Sequence, residues 1–304
     1  MLQNMIKTDE NKAKFVAEFE ARRKIVVMKH RAAQISIVLI LGLILGVSFY
    51  TSGFFITNYG TDPMSRIGDL LNKMIPDLEP QNLLKGRSQS GSIASWFYDM
   101  PTWLSLLSQT VQIALVATIF GSVLGFFASL LASKNLSPLP WLHWSSRRVL
   151  EIIRTLPDLI VALILVAAFG VGPLPGVIAI ALGTTASLGK LFSEANETID
   201  WRPVEAVKAV GGGWWTQIRF GVIPQVLPNY ASYALMRLEI NVGAAAALGV
   251  VGAGGIGIEL SRAITYTEFD TYLALLILIV GLIFIIDIAS EAVRHHLIGL
   301  KLAR

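Results

Sequence analysis

A few charged and amide side chains interrupt the long apolar stretches of this sequence, and they are its best candidates for binding chemistry. A charge in the middle of a membrane-spanning helix costs about 2.5–3.5 kcal/mol on insertion scales, so each needs a partner or water. Arginine offers forked donors that match two oxygens of an oxyanion. We therefore expect these residues to line the path of an anionic solute: Arg154, Asp158, Arg237, Glu239 and Asn241.

Structural explanations of the same charges remain open. Arg237 and Glu239 are two residues apart, so on a helix they point to different sides and pair poorly with each other. Arg237 would instead pair with a residue of another helix, for example Asp158. Glu151, Arg154 and Asp158 follow one another at i, i+3 and i+7, a spacing that predicts one shared helix face with local pairing or snorkelling.

The sequence offers no catalytic or metal-binding constellation. The four histidines, His30, His143, His295 and His296, lack metal-ligand spacing with carboxylates and accompany no obvious serine nucleophile. The segment GTTASLGK at 183–190 has five residues between its glycines and is followed by leucine, so it fails as a phosphate-binding P-loop. Any ATP that drives this protein must therefore be hydrolysed by another polypeptide.

Composition places these residues in a membrane protein. The chain of 304 residues is 54% hydrophobic and 15% charged, with a mean hydropathy of +0.61, whereas soluble domains are about 25% charged. The absence of cysteine excludes disulfides and thiolate metal sites. Backbone groups in hydrocarbon must bond internally, which predicts an all-α fold.

Six membrane-spanning helices are predicted from the apolar stretches. The apolar stretch at 149–189, whose few charges lie near its start, is too long for one crossing. It splits into two spans at GVGPLPG, residues 170–176, where glycine and proline favour a turn. The other spans lie within 32–61, 101–133, 226–251 and 272–289.

Lysine and arginine placement predicts the orientation. With the N-terminus in the cytoplasm, the inside segments hold eighteen of these residues and the outside segments five. This bias follows the positive-inside rule and puts both termini of the multi-pass protein in the cytoplasm.

The polar segment EAVKAVGGGWWTQIRFGVIPQVLP, residues 205–228, becomes a cytoplasmic loop in this arrangement. Asp200 and Pro203 favour a helix start, and residues 203–210 are predicted to form a short helix that Gly211–Gly213 end. The simplest explanation is an ordinary loop.

The loop resembles the EAA loop of ABC-importer permeases. It has Glu205-Ala206, Gly211 six residues after the glutamate and Pro224 nineteen after it, although Val207 and Gly221 depart from the usual pattern. Segments 154–200 and 233–260 are similar to the phosphonate-importer branch, and 107–135 resembles the start of the shared permease domain. Two positions in these segments, Gly183 and Gly243, commonly carry histidine and a basic residue in that branch, which leaves the solute open.

The resemblance implies a type I ABC importer permease fold in the inner or plasma membrane of a prokaryotic cell, with a permease domain at 101–304 and its coupling loop at about 194–224. Composition and charge predict the two parts before it, a cytoplasmic segment at 1–31 and a first span with an external loop at 32–100. The resemblance also implies that the following residues couple the chain to an ATPase: Pro203, Glu205, Ala206, Gly211, Gly212 and Pro224.

The resemblance also implies the partners. These are a second copy of the chain, two cytoplasmic ATP-binding subunits that hold ATP and Mg²⁺, an external substrate-binding protein and the lipid bilayer. No cofactor on this chain, no enzymatic activity of its own and no nucleic-acid partner are expected. The motif GAGGIG at 252–257 follows a membrane span and not a strand, which argues against a dinucleotide site. Its glycines instead predict a sharp turn of the backbone that packs closely against neighbouring helices. The resemblance suggests an external gate there, formed by Gly252, Gly254, Gly255 and Gly257.

Other solutes and other classes remain alternatives to phosphonate import. Phosphite, phosphate or methionine would suit the same machine. A secondary transporter would need ion-coupling carboxylates and inverted repeats, for which the sequence offers only Glu239. An integral-membrane enzyme would need a catalytic constellation near one membrane face.

Overall fold

The computed structural model describes the backbone of residues 2–52 and 63–302 and the side chains of residues 19–20, 22–52 and 64–295. All the regular secondary-structure elements assigned to these described residues are helices, as predicted, and turns and irregular segments connect them. The chain divides into two compact units, Met1–Gly68 and Asp69–Arg304. This boundary falls inside the segment 32–100 that the sequence treats as one part.

The first unit contains one long helix, α1 (Leu2–Thr51). The described part of this helix from Arg22 to Thr51 is long and apolar enough to cross a membrane. It includes residues 32–51 of the predicted first span, which is therefore helical as far as the structure describes it. Its predicted continuation over 53–61 lies outside the described residues.

The remaining helices include those at the predicted spans and in the predicted coupling loop. In chain order they are α2 (Pro63–Met74), α3 (Ile93–Trp96), α4 (Met100–Ala132), α5 (Pro140–Thr155), α6 (Asp158–Phe169), α7 (Pro173–Glu197), α8 (Arg202–Ala209), α9 (Trp214–Gln217), a π-helical turn (Ile218–Val222), α10 (Ile223–Gly249), α11 (Gly257–Thr265) and α12 (Phe269–Leu302). The shorter helices α2, α3, α9 and α11 are not predicted from the sequence.

Four helices in the described part of the chain are long and apolar enough to cross a membrane, and one bent pair would make five. The four are in α1, α4, α7 and α12, and the bent pair is α5 with α6. Helix α10 has 27 residues, which is about 40 Å, and it packs against α4, α7 and α12. It is less apolar than the others because it carries Arg237 and Glu239, and its crossing stays a prediction.

The bend between α5 and α6 corrects the predicted third span. The two helices meet at 82°, because Leu156 precedes Pro157 and adopts an extended conformation, as steric conflict with a following proline favours. Helix α6 has 12 residues, or about 18 Å, too short to cross alone. The predicted shared face of Glu151, Arg154 and Asp158 is therefore wrong, since Asp158 begins a different helix.

The break between α6 and α7 confirms the predicted turn but is shorter, since it covers 170–172 and not the whole of 170–176. Gly170 has φ +86° and ends α6, a left-handed conformation that glycine adopts without a Cβ clash. Pro173 then occupies the first turn of α7, where its missing N–H leaves no hydrogen bond unmade.

Small residues let α4 and α7 approach closely at the centre of the second unit. Ala117, Gly121, Gly125 and Ser129 recur every fourth residue along α4 and are buried. A Cβ added at Gly121 would lie only 2.6 Å from the Cβ of Thr184. This small-residue spacing, typical of packed membrane helices, fixes where α7 presents its polar residues to α10.

Candidate functional site

Helix α8 starts and ends as the loop sequence predicts. The Asp200 carboxylate accepts a hydrogen bond from the backbone N–H of Arg202 at 3.1 Å, and Pro203 lies in the first turn. After the helix, Gly211 has φ +82°. The backbone N–H groups of Gly211 and Gly212 then donate to carbonyls of α8, at 3.0 and 2.9 Å.

The inner face of α8 is fixed to its own chain. Val204 is buried, and a Cβ at Gly221 would come within 3.0 Å of its Cα, so the π-helical turn packs directly on α8. Gln225 exchanges two 3.0 Å hydrogen bonds with the backbone of Asp200. The indole N–H of Trp214 donates to the Leu136 carbonyl at 2.9 Å. Movement of α8 would therefore carry the start of α10 with it.

The outer face of α8 is exposed. Val210, at the end of the helix, is 86% exposed although it is apolar. Pro224 is also exposed, in the first turn of α10. A short, partly apolar and rigidly mounted helix of this kind suits docking to another protein. The remaining exposed positions of the predicted coupling set are Pro203, Glu205, Ala206 and Gly211.

A buried polar network adjoins the coupling loop, and the sequence interpretation missed it. Asn196 of α7 donates to the Ser133 hydroxyl at 3.0 Å and accepts from the Tyr230 hydroxyl at 2.6 Å. Tyr230 of α10 also stacks on Phe192, with ring centroids 4.0 Å apart. The network joins the ends of α4, α7 and α10. An asparagine at the end of an apolar segment is the signal that would have identified it.

Replacing Asn196 by leucine is expected to lower the stability of the folded chain. The substitution keeps the approximate volume but leaves the hydroxyl of Tyr230 without its acceptor, a loss of about 1–3 kcal/mol. Thermal unfolding of the purified protein in detergent would measure the change. Asn229→Leu, at an exposed position of α10, is the matched control, and equal melting of the two variants would contradict a stabilising network.

A polar cavity of about 310 Å³ lies where the α5–α6 bend meets α7 and α10. Three of the charged residues singled out from the sequence come together there. Arg154 ends α5, Asp158 starts α6 and Arg237 lies on α10. The cavity is lined by Arg154, Leu156, Pro157, Asp158, Gly183, Ser187 and Arg237.

Arg237 forms the interhelical pair that the sequence left as an alternative, and it also lines the cavity. Its Nη2 lies 3.9 Å from Oδ2 of Asp158, which is too long for a hydrogen bond. Its Nε donates weakly to the Thr184 hydroxyl at 3.5 Å. The Arg237 side chain is 17% exposed and lines the cavity, so a small anion in the cavity could reach it.

Asn241 and Glu239 lie away from this cavity. The Asn241 amide is fully buried and donates to the hydroxyls of Thr118 and Thr184, at 2.8 and 2.9 Å, so it ties α10 to α4 and α7. Glu239 meets Ser290 of α12, which confirms that it points to a different side from Arg237. In this structure neither residue lines the cavity where Arg237 and Asp158 meet.

The glycine segment between α10 and α11 forms a tight turn, as predicted. Gly252, Gly254 and Gly255 all have positive φ, +90°, +90° and +72°, conformations that favour glycine. A Cβ at Gly254 would lie 3.0 Å from the Cα of Pro173. The Gly252 carbonyl accepts a hydrogen bond from Gly172 at 2.9 Å, so the turn is packed on the α6–α7 connection.

Helix α4 holds the same turn from its other side. The backbone N–H of Gly255 donates to the Gln109 amide oxygen, and that of Ile256 donates to the Thr110 hydroxyl, both at 3.0 Å. Gly257 starts α11, and an added Cβ there would collide with the Ala246 carbonyl. The close packing predicted for these glycines is confirmed, while their action as a gate stays a prediction.

Helix α11 carries a charged group that joins it to the residues before α4. The Arg262 guanidinium donates to the Glu259 carboxylate at 2.7 Å and to the Tyr98 hydroxyl at 3.0 Å. These hydrogen bonds raise the pKa of Arg262 above its usual range. Among the side chains that the structure describes, no group of His, Asp and Glu is arranged to hold a metal ion.

The sequence matches the family described as "Binding-protein-dependent transport system inner membrane component" over residues 121–298. The chain is 40% identical over 191 residues to the phosphate-import permease protein PhnE of Mycolicibacterium smegmatis, a match that covers 63% of this chain but 36% of that relative. It is 33% identical to the phosphite transport system permease protein PtxC of Stutzerimonas stutzeri, with 72% of this chain and 82% of that relative covered.

The fold is similar to that of a solved transporter chain. A chain of the MetNI methionine ABC transporter, in an inward-facing conformation, superposes with a TM-score of 0.57 at 22% sequence identity. The similarity covers 65% of this chain and 97% of the other. At this identity the similarity establishes the type I ABC importer permease fold and leaves the solute aside.

Proposed function

Because this chain belongs to the family of binding-protein-dependent transport system inner membrane components, we propose that it forms the translocation path of an ABC importer for phosphonate or a related phosphorus oxyanion. ATP is hydrolysed on separate subunits. The chain receives the resulting movement through α8 and transmits it to its membrane helices.

The observation that carries the solute class is the cavity that Arg154 and Arg237 line. Its volume of about 310 Å³ exceeds the roughly 30 Å³ share of one water, so it has room for a small hydrated anion. Two guanidinium groups supply planar donor pairs for phosphoryl oxygens. Phosphate and phosphite are the solutes in the names of the two relatives, which supports this class.

The drive is proposed to come through the exposed face of α8. An ATP-binding subunit, with its ATP and Mg²⁺, would hold Ala206 and Val210 in a groove, and its closure would push α8. Because Val204 and Gln225 fix α8 to the π-helical turn and to α10, the push would tilt the helix that carries Arg237. Rigid-body rocking of this kind is a common way to alternate access.

The orientation and the assembly are part of the same proposal. The eighteen lysine and arginine residues of the inside segments, against five outside, support cytoplasmic termini and a cytoplasmic α8. A second copy of the chain would complete the pore. An external binding protein would deliver the solute to the opposite face, so the permease needs only weak affinity of its own.

Uptake by the assembled importer tests this function. The chain would be reconstituted in proteoliposomes with its ATPase and its external binding protein, and supplied with labelled methylphosphonate, phosphite, phosphate or methionine. We expect ATP-dependent uptake of at least one phosphorus oxyanion and none of methionine. Uptake that continues without ATP would favour a secondary transporter, and uptake of methionine alone would remove the oxyanion assignment.

A further inference from the structure

The cavity that is proposed to bind an anion also contains a carboxylate, that of Asp158. It lies beside Arg237, with Arg154 lining the same cavity. A carboxylate close to an anion site would repel the solute, by an amount that grows as water is excluded. As the first residue of α6, Asp158 also gains from the helix dipole, about 0.3–1 kcal/mol, but this gain does not require Arg237.

The geometry of the pair leaves it easy to separate. The Nη2 and Oδ2 atoms are 3.9 Å apart, and the two side chains are 17% and 31% exposed. The carboxylate therefore neutralises the guanidinium without taking its donors in a hydrogen-bonded fork. A solute oxyanion that formed such a fork would replace a loose ionic contact by a directional one.

Gly183 provides the place in which the carboxylate lies. A Cβ added to Gly183 would collide with Oδ1 of Asp158 and would lie 3.2 Å from its Cγ. Any side chain at this position of α7 would therefore push the carboxylate away from its present place. The position of the Asp158 carboxylate on α6 therefore depends on the glycine at position 183 of α7.

An unpaired arginine in a partly buried site is costly, since removing one partner of a buried pair leaves an uncompensated charge. A resident carboxylate relieves this cost while the cavity is empty. We propose that Asp158 is an internal counter-anion, which neutralises Arg237 while the permease is empty. The phosphorus oxyanion displaces the carboxylate from Arg237 during transport, and the return of the carboxylate releases the oxyanion. The absence of a side chain at Gly183 leaves the space that the carboxylate occupies in the empty permease.

This inference rests on the proposed function. It predicts that the Asp158 carboxylate makes solute binding to the permease weak and solute release fast. Asp158→Asn is expected to bind inorganic phosphite at least about tenfold more tightly, because the solute no longer competes with a charge for Arg237. It is expected to turn over more slowly by a similar factor, because release is no longer assisted. Equilibrium binding of labelled phosphite to the permease–ATPase complex in nanodiscs, without the external protein, measures the first effect.

A second variant approaches the same question from α7. Gly183→Ala keeps every charge but removes the place for the carboxylate, so tighter phosphite binding is again expected. It carries the test if Asp158→Asn does not assemble. In the Arg237→Ala background, Asp158→Asn should give a clearly smaller gain, because only the repulsion of the solute by the carboxylate is then removed, and its competition for Arg237 no longer contributes.

Glu151→Gln is the matched control, since Glu151 pairs with Arg148 on α5 and does not line the cavity. Its binding and turnover should equal those of the unmodified complex. A purely structural Asp158 would lower assembly or uptake without tightening phosphite binding, and that result would overturn the inference.

The outcomes separate this inference from the proposed function. If uptake requires Arg237 but phosphite binding is the same with Asp158 or Asn at position 158, the counter-anion is refuted and the import function stands. If the unmodified importer neither binds nor imports any phosphorus oxyanion, both fail together.

Discussion

Ala206→Asp is expected to reduce ATP-driven uptake at least about 100-fold, because a desolvated charge in a protein groove costs about 3 kcal/mol or more. Ala206 lies two residues after the buried Val204, on the exposed face of α8. The chain itself should fold normally, since the new carboxylate points away from its own core. Pull-down of the detergent-solubilised chain with its ATPase, and uptake in proteoliposomes, would measure the loss.

Ala292→Asp serves as the control for this prediction. Ala292 is also exposed and helical, near the end of α12, and the substitution adds the same charge away from α8. We expect this variant to assemble and transport. Normal ATPase binding by the Ala206 variant would show that α8 is not seated in a partner, and the proposed coupling would then be wrong.

Arg237→Ala is expected to lower uptake of the phosphorus oxyanion by about 100-fold, because two charge-assisted hydrogen bonds contribute about 1.5–3 kcal/mol each. Arg237→Lys keeps the charge but loses the planar fork, so an intermediate loss is expected. Uptake rates would be compared at equal amounts of assembled complex, since the alanine variant also leaves Asp158 unpaired.

Arg148 provides a matched control for the Arg237 variants. Arg148→Ala removes an exposed arginine that pairs with Glu151 outside the cavity, so its uptake should be unchanged. Normal uptake by both Arg237 variants, with normal assembly, would remove Arg237 from the solute path. The pair with Asp158 would then be a structural link between α6 and α10.

Local patterns in the sequence were sufficient for the coupling helix and for one helix boundary. Asp200 and Pro203 predicted where α8 begins, and Gly211 predicted where it ends, because capping and positive φ depend on a few neighbouring residues. Gly170 marked the end of α6 for the same reason. The signal for the α5–α6 bend is also local, since it lies in Pro157. The spacing of Glu151, Arg154 and Asp158 nevertheless favours a single helix across this proline.

The candidate solute site could be predicted only in part. Arg154, Asp158 and Arg237 were recognised as costly charges in apolar surroundings, and the pair of Asp158 with Arg237 was one of two alternatives. The sequence position of Asn241, four residues after Arg237, predicts that it lines the solute path. In the structure Asn241 is instead buried and donates to the hydroxyls of Thr118 and Thr184. The network around Asn196 is not predicted, because its members come from α7, α10 and the end of α4, which are far apart in the sequence.

The sequence by itself determined that this protein is helical and membrane-embedded and that it carries a short polar helix between two apolar ones, because apolar length, capping and charge bias act over a few turns. Only the tertiary structure decided which polar groups meet. The register of α7 against α4, set where Gly121 faces Thr184, places Gly183 beside Asp158 and Arg237. Such a register depends on the packing of residues far apart in the chain, which no local pattern specifies.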